Sequence, residues 1–221
     1  MKAATFDIST SAGLSTPMQI VLLLTVLTLL PAIVMSLTPF LRISIVLHFL
    51  RQALGTQTVP SNQVLTGMAL FLALTVSAPT VSQIYEQAWK PMENGTLNAS
   101  QTLDAAAKPL KIFLARYVRD KDLKLFLEIT RSPAPRNIND LELRIIAPAY
   151  ILSEMRAGFQ IGAVLFLPFL LIDIVVASVT LSIGMVQLPP AMVSAPFKIL
   201  LFVLVDGWNI TVGSLMKGFV Q

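Results

Sequence analysis

The sequence of 221 residues contains no cysteine and only one histidine, His48. The missing cysteines exclude disulfides, thiolate-bound zinc and thiol catalysis. A single imidazole excludes metal motifs built on two histidines and leaves only His48 to serve as the base of a nucleophilic pair. An intramembrane aspartyl protease needs two carboxylates at matched depth beside a characteristic glycine, and Asp173 and Asp206 lack that setting. We therefore expect a protein that is not an enzyme and that binds no cofactor or metal.

Charged residues are also scarce, at 13% of the chain, whereas hydrophobic residues make up 55%. Soluble proteins have roughly 25% charged residues. The net charge of +4 is spread along the chain, so it predicts no nucleic-acid interface. A chain of this length cannot bury so much apolar surface alone, and we expect lipid or partner subunits to cover part of it.

Long apolar runs, by contrast, are abundant. Each approaches or exceeds the roughly 20 residues that cross a bilayer core. They predict an all-α fold of membrane-type helical hairpins, with four long apolar helices and a small amphipathic helical insert. The apolar runs lie at about 18–37, 64–85, 157–186 and 197–216, and the predicted divisions are an N-terminal segment 1–17, a first hairpin 18–85, a polar insert 86–146 and a second hairpin 147–221.

Between the first two runs, Pro39–Leu54 is apolar but carries Arg42 and Arg51. It is interpreted either as a continuation of the first helix or as an interfacial helix. Basic residues without acidic ones favour the cytoplasmic side for this connection. With an even number of spans, the insert and both termini then lie outside. We interpret 18–37 as a retained helix, because it is longer than a signal-peptide core.

The insert is the charged part of the chain, with both signs present. Helical periodicity predicts one amphipathic helix there and a second over Leu123–Thr130. Asn139 and Glu142 have the spacing of a capping box that would open the next helix. The residues of the first amphipathic face are Leu110, Phe113, Leu114, Tyr117 and Val118.

The stretch from Ala157 to Met216 holds only three charged side chains, Asp173, Lys198 and Asp206. Asp173 and Lys198 are candidates for a buried ion pair, since an unpaired charge in such a segment is costly. A turn near 187–190 disfavours an exact register within one chain, and pairing between neighbouring subunits fits about as well. The alternative for Lys198 is a side chain that snorkels to the membrane surface.

Small residues at four-residue spacing mark candidate helix-packing positions. Gly158 and Gly162 form a GxxxG motif, and Ser178 and Ser182 repeat the spacing further along the same run. Asp206 begins a comparable stripe of small and polar residues on the second arm. We expect these stripes to let another helix approach closely.

Five blocks of this sequence stand out as motifs: Phe40–Gly55, Pro60–Leu65, Pro148–Gly162, Leu167–Ser178 and Pro196–Trp208. They resemble the FliP family of flagellar type III export-gate proteins. The first two look like the first family signature and its continuation, and the third looks like the second signature. The fifth contains Val203–Trp208, which looks more flagellar than the related SctR proteins of virulence secretion.

The resemblance implies a pore-forming structural subunit that assembles in several copies with FliQ and FliR, near FlhB and FlhA. Unfolded flagellar subunits would pass through this gate in the flagellar basal body of the bacterial inner membrane, with the insert on the periplasmic side. Asp173, Lys198 and Asp206 would be inter-subunit polar contacts. Glu154 and Arg156 of the second signature would join them.

Many members of this family have a methionine run before the last helix, which forms a flexible constriction. Here the matching block, Gly184–Leu188, has one methionine. Met185, Val186 and Gln187 are the candidate gate constriction, and a plain hairpin turn is the alternative. The competing function is a small-solute or ion transporter or channel subunit that uses Asp173 and Lys198 as a relay. The inverted repeats typical of transporters are not evident in the sequence.

Overall fold

The computed structural model describes residues 15–56, 58–133, 135, 137–185 and 189–219. All regular secondary structure in these ranges is helical, which confirms the all-α fold class. The helices are α1 (Thr16–Ser36), α2 (Phe40–Ala53), α3 (Asn62–Ile84), α4 (Lys90–Glu93), α5 (Ala99–Tyr117), α6 (Asp120–Thr130), α7 (Leu143–Ser182), α8 (Pro190–Leu204) and α9 (Gly207–Lys217), with a π-helical turn at Tyr85–Trp89 and a 3₁₀ turn at Ile138–Asp140.

The described residues form two compact units that alternate along the chain. The insert unit combines the residues up to Thr38 with Pro79–Tyr150. The hairpin unit combines Pro39–Ala78 with the residues from Ile151 onward. The division along the chain into an N-terminal segment, two hairpins and an insert stays a prediction.

Helix α2 is a packed helix of the hairpin unit, which corrects the interpretation of this segment as a continuation of the first helix. Pro39 stands at its N-cap, so α1 and α2 are separate helices. Its buried side chains recur at helical spacing and cover one face, and an interfacial position for this helix stays a prediction. These buried residues are Arg42, Ile43, Val46, Leu47, Leu50 and Ala53.

The insert unit has a small aromatic core, built on the predicted amphipathic helix. Phe113 and Leu114 of α5 are buried, and the Phe113 ring lies 5.2 Å from that of Tyr117 and 6.2 Å from that of Tyr150. A capping box of Asn98 and Gln101 satisfies the first amides of α5. The predicted amphipathic face is thus confirmed in part: Phe113 and Leu114 are buried, Leu110 and Tyr117 are half-buried, and Val118 is the C-cap of α5.

The capping box predicted at Asn139 and Glu142 is wrong. Asn139 lies inside the 3₁₀ turn, and the reciprocal box joins Asn137 and Asp140. The Asp140 carboxylate accepts a hydrogen bond from the Asn137 backbone N–H at 3.1 Å. Because this earlier box is satisfied locally, α7 begins only at Leu143.

Helix α7 runs for 40 residues without a break, about 60 Å at 1.5 Å per residue. It includes most of the predicted run 157–186 and also the residues of the second signature that precede this run. The helix continues past both Pro148 and Pro168. Its C-terminus closes in a Schellman motif: Gly184 has a φ of 79°, and the Met185 amide donates to the Thr180 carbonyl at 2.9 Å.

The run predicted as one helix over 197–216 is wrong, because the chain bends by 66° between α8 and α9. Asp206 adopts a left-handed φ of 53° at the break, and Asp tolerates this conformation better than most residues. Gly207 follows with the Phe202 ring packed where a Cβ would lie. Three helices among the described residues could span a membrane by length and composition, and the bent pair could be a fourth.

Candidate functional site

The candidate site is a set of charged side chains held inside the hairpin unit. Lys198 of α8 donates to the Asp173 Oδ2 of α7 at 2.6 Å and to the Ala53 carbonyl of α2 at 3.1 Å. Ser194 donates to the other oxygen of Asp173 at 2.5 Å. Each carboxylate oxygen therefore has a donor, and the ammonium group also satisfies a carbonyl at the C-terminus of α2.

This pairing within one chain corrects the register argument made from the sequence. Asp173 lies nine residues before the end of α7, and Lys198 lies eight residues after the start of α8. The two residues therefore lie at nearly equal distances from the helix ends that flank the turn, which places them opposite each other. The sequence argument placed the turn at 187–190, whereas α7 already ends at Ser182.

An apolar cluster lies beside this ion pair, since Phe169 is one helical turn from Asp173 and Phe202 is one helical turn from Lys198. It restricts the access of water, which strengthens electrostatic interactions. Lys198 retains only 4% of its side-chain exposure and Asp173 retains 27%. The cluster consists of Leu50, Ala53, Leu54, Phe169 and Phe202, with Leu165, Phe166 and Ile172 packed against it.

A second buried ion pair joins Arg42 of α2 to Glu154 of α7. The Arg42 Nη2 donates to the Glu154 Oε1, and the Phe219 ring covers the guanidinium with its centroid 4.2 Å from Cζ. Glu154 is completely buried. Among the described residues, its Oε2 has no hydrogen-bond partner. The two pairs thus neutralise their charges in different ways.

The sequence did not predict that Arg42 and Glu154 pair with each other. The sequence interpretation placed Arg42 at a membrane surface and expected Glu154 to contact another subunit. The two residues are 112 positions apart, and no periodic pattern links them. The available signal was Glu154, an acidic residue among the mostly apolar residues of the second signature.

The other predicted polar contacts are more exposed. Arg156 is exposed on α7. Asp206 is also exposed, and its Oδ2 accepts a hydrogen bond from the Asn209 side chain at 3.0 Å. Whether any of these residues, or either ion pair, contacts a neighbouring subunit stays a prediction.

The predicted packing glycines lie against α2. A Cβ on Gly158 would come within 3.1 Å of Ile45, and one on Gly162 would come within 2.6 Å of the Phe49 ring. Phe49 also meets Phe159 edge to face at 5.6 Å. The GxxxG motif therefore permits close approach of α2 and α7 within one chain.

The two predicted packing serines are exposed on α7 instead. Ser178 donates to the Ile174 carbonyl at 2.8 Å, and Ser182 donates to the Ser178 carbonyl at 2.7 Å. Both hydroxyl groups are thus hydrogen-bonded within α7, so the face of α7 that carries these two serines has small side chains of low polarity. A packing role against another subunit stays a prediction.

Of the candidate gate constriction, Met185 is described, and Val186 and Gln187 lie outside the described residues. Met185 is 43% exposed, directly after the end of α7. The structure places it at the tip of the α7–α8 hairpin, where the sequence predicted a turn.

The fold and site together define a helical protein whose apolar helices are long enough to span a membrane and whose buried charges are paired within an apolar unit. The model of the FliP family matches residues 23–215. The chain belongs to the FliP family, which confirms the resemblance seen in the sequence. This is a family of flagellar biosynthetic proteins and not a known enzyme family.

The similarity to individual relatives extends over nearly the whole chain. Flagellar biosynthetic protein FliP of Bacillus subtilis is 45% identical over 214 residues, which cover 97% of each chain. Flagellar biosynthetic protein FliP of Caulobacter vibrioides is 44% identical over 218 residues, which cover 98% of this chain and 82% of the relative. Flagellar biosynthetic protein FliP of Treponema pallidum is 41% identical over 220 residues, which cover 97% and 81%.

Proposed function

We propose that this chain is a pore-forming structural subunit of the flagellar type III protein export gate. Several copies assemble with FliQ and FliR, beside FlhB and FlhA, in the bacterial inner membrane at the flagellar basal body. Unfolded flagellar subunits pass through the assembled gate. The observation that carries this proposal is the 45% identity to a flagellar biosynthetic protein FliP along 97% of both chains.

The distribution of charge in the hairpin unit supports an assembling role. Its two buried ion pairs are satisfied inside the chain, whereas α7 and α8 expose many large apolar side chains. Exposed apolar surface of this extent calls for lipid or other subunits. The most exposed residues include Val164, Leu171, Met192, Val203 and Leu204.

The same geometry argues against the competing relay function. Asp173 and Lys198 are held by three fixed hydrogen bonds, which involve Ser194 and Ala53. A relay needs a carboxylate that exchanges partners during transport. Hydrogen bonds with donor–acceptor distances of 2.5 to 3.1 Å suit an ion pair that fixes the positions of three helices.

The constriction of the gate is assigned to Met185, which follows the C-terminus of α7, together with the sequence positions Val186 and Gln187, which lie outside the described residues. A methionine side chain is unbranched and adaptable, which suits a deformable seal. The insert is assigned to the periplasmic side, because the connection before α3 carries the basic Arg51 without acidic residues, whereas Arg42 is paired with Glu154 inside the hairpin unit.

Protein export from living cells tests the proposal. Deletion of the gene in the bacterium that encodes this chain should abolish release of hook and filament subunits into the medium, with their synthesis unchanged. The tagged full-length chain should restore release. From these cells it should purify in mild detergent as a large complex with FliQ and FliR.

Undiminished release from the deletion strain would contradict an export role. Purification only as a monomer or dimer would contradict a role as a gate subunit and would favour the transporter alternative. A strain that lacks the soluble flagellar ATPase serves as the control, because it separates a loss of export from a loss of subunit synthesis.

A further inference from the structure

Two exposed asparagines lie in the short connection between α4 and α5 of the insert unit. Asn94 is the C-cap of α4 and precedes Gly95, whereas Asn98 is the N-cap of α5 and precedes Ala99. Asn94 is the one asparagine of the sequence that is followed by glycine. The two positions are therefore matched in exposure and differ in the residue that comes next.

The next residue matters because asparagine is chemically labile. The backbone nitrogen of the following residue attacks the side-chain amide carbon, Cγ, which closes a five-membered succinimide ring and expels ammonia. Water then opens the ring at either of its two carbonyl carbons and yields aspartate or isoaspartate. Glycine in the following position favours the attack, since it has no side chain in the way and its backbone reaches the required conformations freely.

The turn around Asn94 is a short helix end held by exposed hydrogen bonds. The Gly95 amide donates to the Met92 carbonyl at 3.0 Å, and the Thr96 amide donates to the Pro91 carbonyl at 2.9 Å. Gly95 has a left-handed φ of 72°, and nothing lies within 4 Å of the place where a Cβ would be. Exposed helix ends open at little cost in free energy, and opening of this turn frees the Gly95 nitrogen to attack.

The capping box of α5 protects Asn98 from the same reaction. The Asn98 Oδ1 accepts hydrogen bonds from the Gln101 amide at 2.9 Å and from the Ser100 hydroxyl at 2.8 Å. The Asn98 amide donates in return to the Gln101 Oε1 at 3.0 Å. These bonds hold the side chain against the first turn of α5, and the methyl group of Ala99 hinders approach of its nitrogen to Cγ.

We propose that Asn94 is a site of spontaneous deamidation in the folded chain. The Gly95 nitrogen loses its proton to solvent and bonds to the Asn94 Cγ, so that the net reaction consumes one water and releases one ammonia. The product places a negative charge at the C-terminus of α4 beside Glu93, where the helix dipole disfavours it. Isoaspartate also adds a methylene group to the backbone and displaces the amides that bind Met92 and Pro91. The modification thus loosens the link between α4 and α5.

Mass spectrometry of the full-length chain tests this site. The protein is purified in mild detergent, incubated in mildly alkaline buffer and digested at intervals, and fragment spectra locate the mass gain of one dalton. We expect at least tenfold more conversion at Asn94 than at Asn98. Thr96→Val removes the hydroxyl that donates to the Pro91 carbonyl at 2.8 Å, so it should speed conversion at least twofold. Thr102→Val is the matched control, because it removes an equivalent bond to the Asn98 carbonyl, also 2.8 Å long.

Conversion at Asn94 that is absent, or no greater than at Asn98, would overturn the inference. Equal rates at Asn94 in Thr96→Val and Thr102→Val would overturn the role given to opening of the turn. The rate at Asn94 should also rise with pH, because the Gly95 nitrogen attacks after it loses its proton, and a rate that falls with pH would contradict this chemistry. None of these measurements depends on export, so the proposed function is tested separately.

Discussion

The two buried ion pairs of the hairpin unit both place opposite charges in an apolar environment, but the groups around them differ. The Asp173–Lys198 pair keeps partial contact with solvent and fills its hydrogen bonds with Ser194 and the Ala53 carbonyl. The Arg42–Glu154 pair is enclosed, leaves one carboxylate oxygen without a partner among the described residues and is covered by Phe219.

The difference shows how much each pair depends on its environment. A hydrogen-bonded pair with some solvent access retains compensation when one member is lost. An enclosed pair has nothing to replace the lost charge, since water cannot reach it. The Arg42–Glu154 pair should therefore be the more sensitive of the two.

The largest effect is expected from Arg42→Leu, which leaves the fully buried Glu154 without its cation. Loss of one partner from a buried pair costs about 3–5 kcal/mol. The free energy of unfolding of the purified protein, measured by SDS titration in mild detergent, should fall by about that amount. Arg144→Leu is the matched control, because it removes the arginine of an exposed pair with Glu142. Equal losses in the two variants would show that enclosure of the pair is unimportant.

A smaller loss, about 2–3 kcal/mol, is expected from Lys198→Met, because Asp173 keeps Ser194 and partial exposure. The double variant with Asp173→Asn should recover part of this loss, since no unpaired charge then remains. Lys90→Met is the control, as Lys90 forms an exposed pair with Glu86. Losses that simply add in the double variant would argue against coupling of Asp173 and Lys198. The same SDS titration provides the measurement.

The smallest effect is expected from Phe219→Leu, which keeps apolar cover over Arg42 but removes the aromatic face. A cation–π contact contributes about 0.5–2 kcal/mol, so the loss of stability should lie in that range. Phe219→Trp should retain the contact. Phe197→Leu, at a position 58% exposed, is the control and should change stability less. A loss in Phe219→Leu no larger than in Phe197→Leu would mean that Phe219 serves only as apolar cover.

Much of the fold was predictable, because its cause lies in local composition. The apolar runs, the amphipathic face around Phe113 and the turn near Pro189 follow from periodicity and from the chemistry of proline and glycine. Asp173 and Lys198 could be singled out because each is a rare charge in a long apolar segment. Local patterns thus identified the elements and some of the residues that matter.

The register and the long-range pairings were not predictable. The partnership of Arg42 and Glu154 depends on how α2 packs against α7, through Gly158 and Gly162. The continuity of α7 through Pro148 and the break at Asp206 contradict the local signals, since proline usually interrupts helices and aspartate does so less often. In both cases packing between helices decides the outcome, and the local sequence pattern does not show this packing.

The bend at Asp206 has a consequence for the surroundings of the C-terminal region. Helices α8 and α9 contain 15 and 11 residues, about 22 and 16 Å at 1.5 Å per residue. Each alone is shorter than the roughly 30 Å hydrocarbon layer of a bilayer, but joined at 66° their far ends remain roughly 32 Å apart, so the bent pair could cross that layer as one broken span. The backbone groups that lose their helical partners at the bend would then lie within the hydrocarbon layer, where protein or water must supply their hydrogen bonds.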